Sequence, residues 1–359
     1  MEEALDFFSS APTLDEMPRR TLADTGIDGP TAAHVIEEVH TPFNLAYLTF
    51  TTGSSAFQTI VGVTDRESAG RTAVAREIFG RQKHGRGGRM LVTYPPLVNV
   101  FANEALVECG IEWSLLKRSS RDALLVAACK TAPHVILGES SFLRASLEQA
   151  RSLGLQAQMP KGCMLLVAGT PLDEELLPVA EAFGYTVHDL YGCQEFGWLV
   201  LNGRTLRDDI SLVASPRGEP YRELVVGGLP MGDSFVISAA GHVCDRGGEI
   251  ITYRRERTYP EYEVVVTRSP AQAASTVEKT ARTILRIKSR IVKLSPGLEL
   301  GAGATRLELV PSVADPEAAP AAPITIEGPQ ATALFDLLVA AQKDMQTLAK
   351  SDPTWVKRR

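Results

Sequence analysis

Helical segments alternate with short apolar strands over residues 71–191, and this alternation constrains the fold more than any other feature of the chain. Such a pattern is typical of parallel strands covered by helices. Ligands of these sheets bind at the carboxyl ends of the strands, so we expect the functional residues at that edge. The five predicted helix–strand pairs are 71–79 with 90–93, 98–109 with 112–116, 120–130 with 134–138, 141–152 with 163–169, and 173–183 with 186–191.

The C-terminal part of the chain follows a different pattern. Beyond Leu199 the predicted elements are short strands without helices, which indicates an antiparallel or barrel-like subdomain. A strand and an amphipathic helix between residues 324 and 350 favour a small terminal α/β unit. A chain of 359 residues is long enough for two domains. We therefore predict an α/β fold with a large domain at 1–285, including the β-rich subdomain, and a reduced C-terminal lid at 286–359.

Composition excludes several classes of protein. Hydrophobic residues make up 44% and charged residues 22%, which is typical of globular proteins. The net charge of -6 argues against nucleic-acid binding. The absence of a run of about 20 apolar residues argues against a membrane span, and the acidic start does not resemble a secretory signal. Five cysteines without a close pair predict free thiols in a reducing compartment, so we expect a cytoplasmic protein.

One locally basic run, from Arg71 to Arg89, allows two interpretations. A solvated helix end followed by a glycine-rich turn is the usual role of such a run and is favoured. The alternative is a binding surface for a phosphorylated cosubstrate such as coenzyme A.

A hydroxyl- and glycine-rich loop between two predicted strands is the first candidate binding element. Its residues are Thr51, Thr52, Gly53, Ser54 and Ser55. Backbone N–H and side-chain O–H groups in such a loop suit phosphate oxygens. Taken alone, the loop is more often an ordinary hydroxyl-rich turn.

Two further segments follow predicted strands at the expected edge of the sheet. Gly169, Thr170 and Pro171 form a turn of small residues, which lets backbone approach a ligand. The segment from Asp189 to Glu195 supplies an aromatic ring that suits a purine and a carboxylate that suits a magnesium ion. Without further information, Tyr191 would be a strand-end aromatic and Glu195 a surface acid.

Together these segments resemble the adenylate-forming, AMP-binding superfamily of acyl-CoA synthetase-like enzymes, and in particular the phenylacetate–coenzyme A ligase family. Thr51–Ser55 and Thr59–Gly62 match the phosphate-binding motif of that family in register, whereas Ala56 and Phe57-Gln58 replace its glycine and its lysine–proline pair. The segment Tyr191-Gly192-Cys193-Gln194-Glu195 is similar to the family's Tyr-Gly-Leu-Ser-Glu.

The resemblance implies a role for each matched residue. Thr51, Thr52, Gly53, Ser54 and Ser55 would bind ATP phosphates, and Glu195 would act in catalysis as the magnesium ligand. Arg290 and Lys357 stand where the family has its catalytic arginine and lysine. The remaining expected nucleotide-binding residues are Gly169, Thr170, Pro171, Asp189, Tyr191, Gly192, Gln194 and Asp245, with Asp233 as a rival of Asp245 for the ribose hydroxyls.

These residues predict ATP- and Mg²⁺-dependent adenylation of a carboxylic acid, followed by transfer to coenzyme A or a carrier-protein thiol. The departures at Ala56, Phe57 and Gln194 keep open a degenerate nucleotide-binding or scaffold protein. A dinucleotide oxidoreductase is disfavoured because no Gly-x-Gly-x-x-Gly follows a strand. His242 and Cys244 lack the second pair that a zinc site needs. The acid, the acceptor and the oligomeric state, for which a homodimer is one option, stay open.

Overall fold

The computed structural model describes residues 45–50, 60–80, 88–215, 218–239, 243–244, 256–257, 262–288, 290–311 and 322–351. Within these residues the helices are α1 (Asp65–Gly80), α2 (Pro96–Phe101), α3 (Asn103–Glu108), α4 (Arg121–Thr131), α5 (Ser140–Ser152), α6 (Leu176–Ala182), α7 (Ala274–Lys288) and α8 (Ala333–Ser351). The strands are β1 (Leu45–Phe50), β2 (Ile60–Thr64), β3 (Gly88–Val92), β4 (Ile111–Leu115), β5 (Val135–Gly138), β6 (Met164–Val167), β7 (Thr186–Cys193), β8 (Gly197–Leu201), β9 (Arg204–Thr205), β10 (Ile210–Ala214), β11 (Tyr221–Val226), β12 (Leu229–Ile237), β13 (Val243–Cys244), β14 (Glu256–Arg257), β15 (Tyr262–Ser269), β16 (Val292–Leu300), β17 (Arg306–Pro311) and β18 (Ile324–Glu327).

A seven-stranded sheet in the order β4-β3-β5-β6-β7-β8-β9 forms the centre of the molecule. Its first five strands are parallel, and β8 and β9 are added antiparallel. The predicted α/β fold with a parallel sheet is therefore confirmed.

Helices cover both faces of this sheet. Met90 packs on one face with helix residues that include Ile78 and Phe101. Its neighbour Leu91 packs on the other face with Leu143 among others. Because successive side chains of a strand point to opposite faces, a strand enclosed on both sides needs a continuous apolar run, which is what the sequence shows.

Helix α1 begins earlier than predicted because a capping box precedes it. Thr64 Oγ1 accepts from the Glu67 N–H at 3.2 Å, and Glu67 Oε2 accepts from the Thr64 N–H at 3.0 Å. The predicted helix over 98–109 is wrong as a single element, since Ala102, with φ of 70°, separates α2 from α3.

The strand-rich stretch beyond Leu199 forms an antiparallel sheet of β10 to β14. A second unit follows, in which β16-β15-β17-β18 form a four-stranded sheet with α7 and α8. Its apolar side shares one core with the preceding strands, as the cluster of Leu199, Val226, Val264 and Leu338 shows.

The expected absence of helices before residue 286 is wrong, because α7 occupies Ala274–Lys288. Val277, Ala281 and Ile284 form its buried stripe at helical spacing, interrupted in sequence by threonines and charges. The predicted domain boundary at 285/286 lies within this helix. Residues 1–44, at the start of the predicted large domain, lie outside the described residues. In the described part, no helix combines the length and apolar character needed to cross a membrane.

Candidate active site

The carboxyl edge of the central sheet brings two of the predicted segments together. Val167 of β6 pairs with Asp189 of β7, so the turn at Gly169 lies beside the segment leading to Glu195. Gly169 has a φ of +92°, and a Cβ built on it would meet no atom nearer than 3.8 Å. Gly169 is exposed, so its backbone is accessible from solvent, whereas the carbonyl of Pro171 accepts from Ser140 Oγ at 3.2 Å. Thr170 lies between them, half-buried.

The ring of Tyr191 is enclosed. It is 1% exposed and packs edge-on against Phe235, with ring centroids 4.9 Å apart. Its hydroxyl donates to Asp233 Oδ2 at 2.6 Å. Adenine could stack on this ring only if the side chains packed against Tyr191 moved. The hydrogen bond places Asp233, the alternative to Asp245 as the ribose-binding residue, next to the motif.

Asp189 and Gly192 shape the strand. Asp189 is buried, and its N–H donates to Asn202 Oδ1 at 2.8 Å. At Gly192 the β7–β8 pairing is irregular, and the strands approach so closely that no side chain fits.

Gly192→Ala is expected to lower the free energy of unfolding by about 1–3 kcal/mol. The added Cβ would lie 2.4 Å from the Gly197 carbonyl oxygen and 2.8 Å from Trp198 Cα, and these backbone atoms must move. Chemical denaturation measures the change. Gly70→Ala, in the interior of α1 with no atom within 4 Å of its Cβ, is the control and should stabilise by about 0.5–1 kcal/mol. Equal stability of the two variants would contradict the close approach at Gly192.

Gln194 connects the motif to the strand that leads into the predicted phosphate loop. Its Oε1 accepts from Thr49 Oγ1 on β1 at 2.7 Å, and its Nε2 donates to the Pro96 carbonyl oxygen at 2.7 Å. The side chain that stands at the family's hydroxyl position thus engages protein groups at both ends. The loop residues Thr51 to Ser55 themselves lie outside the described residues.

The backbone of the turn from Gln194 to Phe196 accepts hydrogen bonds from three cationic side chains. Arg71 Nη2 donates to the carbonyls of residues 194 and 195 at 2.7 and 3.0 Å. Lys288 Nζ donates to the carbonyl of Glu195 at 2.9 Å, and Arg207 Nη1 to that of Phe196 at 2.8 Å. All three carbonyls of the turn are therefore held by positive charge.

Lys288 also forms a buried ion pair. Its Nζ lies 2.6 Å from Glu67 Oε1, and its side chain is fully buried. Burial by itself would raise the pKa of Glu67, but Lys288, the Thr64 N–H and Arg71 outweigh it and hold that pKa below its ordinary value. The pair joins α1, near the start of the chain, to the end of α7.

Cys193 is adjacent to the acid of the motif. Burial raises the pKa of its thiol, and the neighbouring Glu195 carboxylate raises it further. The thiol is therefore held protonated, which does not suit a nucleophile.

The residues of the predicted basic run have separate structural roles. Arg71 is buried, so the interpretation of a solvated run is wrong for it. Arg76 pairs with Glu108. Arg89 Nε donates to the Thr131 carbonyl at 2.9 Å, next to a cavity of about 160 Å³ at the amino edge of the sheet, away from the candidate site. The basic residues of 81–87 lie outside the described residues.

Of the remaining predicted site residues, Arg290 donates from Nη2 to the Met231 carbonyl oxygen at 3.1 Å, beside the strand of Asp233. Asp245 and Lys357 lie outside the described residues. In the part that the structure describes, no group of three or more His, Cys, Asp or Glu residues is arranged to hold a metal ion. Magnesium accompanying ATP needs only one or two protein carboxylates in addition to phosphates and water, so the single carboxylate of Glu195 fits it.

Sequence reasoning missed Glu67, Arg71, Lys288 and Arg207 as parts of this site. Two signals were present. Thr64-x-x-Glu67 is a capping-box pattern, and Lys288 continues the apolar stripe of α7 at helical spacing from Ile284. A lysine on an apolar stripe indicates a buried partner.

Comparison with known proteins adds independent information. A family model described as the MadH C-terminal domain matches residues 202–346. Over 359 residues the chain is 54% identical to an ACP-SH:acetate ligase from Malonomonas rubra, covering 100% of this chain and 98% of that protein.

Likenesses among solved structures are partial. The Bacillus subtilis O-succinylbenzoate coenzyme A synthetase MenE in complex with AMP matches with a TM-score of 0.43 and 16% identity, over 56% of this chain and 62% of that one. A Brucella canis acyl-CoA synthetase matches with a TM-score of 0.47 and 14% identity, over 70% and 60% of the two chains. The chain spans about three-fifths of each synthetase, and likenesses this partial carry no weight for its activity.

The fold and the full-length relative define an α/β ligase. More particularly, the chain belongs to the family of the Malonomonas rubra ACP-SH:acetate ligase. The predictions of an enzyme and of a ligase class are confirmed.

Proposed function

We propose that the chain activates acetate with ATP as acetyl-AMP and transfers the acetyl group to the thiol of an acyl carrier protein. The observation that carries this proposal is the 54% identity, over the full chain, to a protein named ACP-SH:acetate ligase. That name favours acetate as the acid and a carrier-protein thiol as the acceptor, where the sequence had left coenzyme A as an alternative.

The reaction has two steps. A carboxylate oxygen of acetate attacks the α-phosphorus of ATP, and pyrophosphate leaves. The carrier thiolate then attacks the acetyl carbonyl carbon, and AMP leaves. Charge develops on the α-phosphoryl group in the first step, so the protein acts by positioning and by electrostatic stabilisation. Bound magnesium supplies neutralising charge at the phosphates.

The candidate site supports this chemistry. Glu195 would hold the metal from a turn whose backbone is anchored by Arg71, Lys288 and Arg207. Gly169 is exposed and has no side chain, so a nucleotide would be able to approach its backbone at the carboxyl edge of the sheet. The hydrogen bond from Thr49 to Gln194 attaches β1, which precedes the proposed phosphate-binding residues in the sequence, to the same turn.

Acetate-dependent exchange between ATP and labelled pyrophosphate tests the first step. We expect exchange with acetate and weaker exchange with longer acids. Mass spectrometry of a carrier protein with a free phosphopantetheine thiol, compared with coenzyme A, tests the second step and should show acetylation of the carrier. ATP binding without exchange for any short acid would contradict the proposal and favour a scaffold that has kept the nucleotide site.

A further inference from the structure

Three cations from distant parts of the chain meet beneath one turn. Arg71 comes from α1, Arg207 from the segment before β10, and Lys288 from the last position of α7. Together they donate to the three successive carbonyl oxygens of residues 194–196 at 2.7 to 3.0 Å. Charge-assisted hydrogen bonds of this length are among the stronger ones in proteins.

The three cations differ in whether a carboxylate neutralises them. Lys288 is neutralised by Glu67 and Arg207 by Asp209, whose Oδ1 lies 2.8 Å from Arg207 Nε. Arg71 is buried and, among the described residues, has no carboxylate within 4 Å, so its charge is directed at backbone carbonyls and at the ring of Tyr47, 5.8 Å away.

Gly197 completes the turn. Its φ is +81°, and a Cβ there would lie 3.3 Å from Arg71 Cγ. A glycine at this position therefore allows the backbone to reverse direction against the aliphatic part of the Arg71 side chain.

We propose that Arg71, Arg207 and Lys288 are positioning residues that hold the Glu195 carboxylate in place for magnesium–ATP, an inference that rests on the proposed function. A carboxylate on an anchored backbone loses little freedom when it binds the metal, so its affinity is higher than on a loose turn. Arg207 and Lys288 belong to the region 202–346 that matches the MadH C-terminal domain. This region thus completes a site whose carboxylate lies before it in the chain.

The double variant Lys288→Met/Glu67→Gln tests the role of the turn contacts without leaving a lone buried charge. The Mg²⁺ concentration for half-maximal acetate-dependent exchange, at saturating ATP, should rise about 10–100-fold, the usual effect of losing a group that orients a metal ligand. Lys288→Arg keeps the charge and should recover most of the lost Mg²⁺ affinity. The matched control is Lys293→Met/Glu263→Gln, an ion pair in the same C-terminal unit that does not contact the turn, and it should keep the wild-type requirement.

A wild-type Mg²⁺ requirement in the folded double variant would overturn the proposal. Should that variant not fold, Arg71→Met replaces it, because this change removes the Nη2 group that donates to the carbonyls of residues 194 and 195.

Hydrogen–deuterium exchange without substrate separates this proposal from the proposed function. Peptides covering residues 190–200 should exchange faster in the double variant than in the wild type, whereas peptides of β5 should not change. Unchanged protection of 190–200 overturns the positioning role whether or not acetate is activated. Faster exchange in a chain that shows no pyrophosphate exchange supports the anchoring and refutes only the acetate reaction.

Discussion

Glu195→Gln is expected to lower acetate-dependent ATP–pyrophosphate exchange by about 10²–10³-fold, the usual loss when one electrostatic stabiliser of a transition state is removed. The amide keeps the size of the side chain but lacks the charge that suits magnesium. The fold should be retained, because Arg71 and Lys288 donate to the backbone carbonyl of residue 195 and not to its carboxylate. Initial rates at several Mg²⁺ concentrations measure the effect.

The control for this variant is Glu181→Gln, the same change at an exposed position of α6. It should keep the wild-type rate and Mg²⁺ requirement. If Glu195→Gln also kept both, Glu195 would not be the metal ligand, and the resemblance of its segment to the ligase motif would carry no catalytic meaning.

Lys288→Met is expected to lower the free energy of unfolding by about 3–5 kcal/mol, the usual result of removing one member of a buried ion pair. The change leaves the Glu67 carboxylate, whose side chain is 7% exposed, without the ammonium group 2.6 Å away. Urea titration measures the loss. Adding Glu67→Gln to the variant should restore part of the lost stability. A double-mutant cycle then gives the coupling free energy between the two side chains.

The control here is Lys293→Met, which breaks the pair of Lys293 with Glu263. Because the Lys293 side chain is 58% exposed, we expect a change of less than about 1 kcal/mol. A loss for Lys288→Met as small as this would show that the buried pair is not formed in solution.

The same pair predicts a dependence on pH. The pKa of Glu67 is lower in the folded protein than its ordinary value of 4.5. The charged carboxylate therefore stabilises the fold fully above pH 4.5, and this stabilisation is lost as the pH falls through the folded-state pKa. The difference in free energy of unfolding between wild type and Glu67→Gln should therefore shrink on acidification. A difference that stays constant into the acid range would contradict the charged pair.

The central sheet could be predicted from sequence because its signal is local. The apolar strands at 90–93 and 134–138 appear as β3 and β5 with shifts of one or two residues, since a strand buried on both faces needs a short continuous apolar run. Helix α7 could not be predicted as easily, because the threonines between its apolar positions favour strands in isolation and only packing in the shared core decides for a helix.

The candidate site divides in the same way. The roles of Gly169, Tyr191 and Glu195 are predicted from the resemblance of two short segments to the ligase family, and the pairing of β6 with β7 places these segments side by side. The enclosed state of the Tyr191 ring was not predictable, since it depends on Phe235 and Asp233 from another sheet. In the sequence Gln194 only replaces the hydroxyl residue of the family motif, whereas the structure shows that its side chain joins β1 to the turn.

By itself the sequence determined the class of fold and the ligase class, and it predicts the edge of the sheet at which the functional residues lie, because hydrophobic periodicity and short motifs are properties of neighbouring residues. Only the tertiary structure decided what holds the turn of Glu195. Lys288 and Glu67 are 221 residues apart, and Gln194 and Thr49 are 145 apart. No local pattern specifies such partners, because residues this far apart in the sequence come into contact only when the whole chain has folded. A charge that is buried then needs a paired charge beside it.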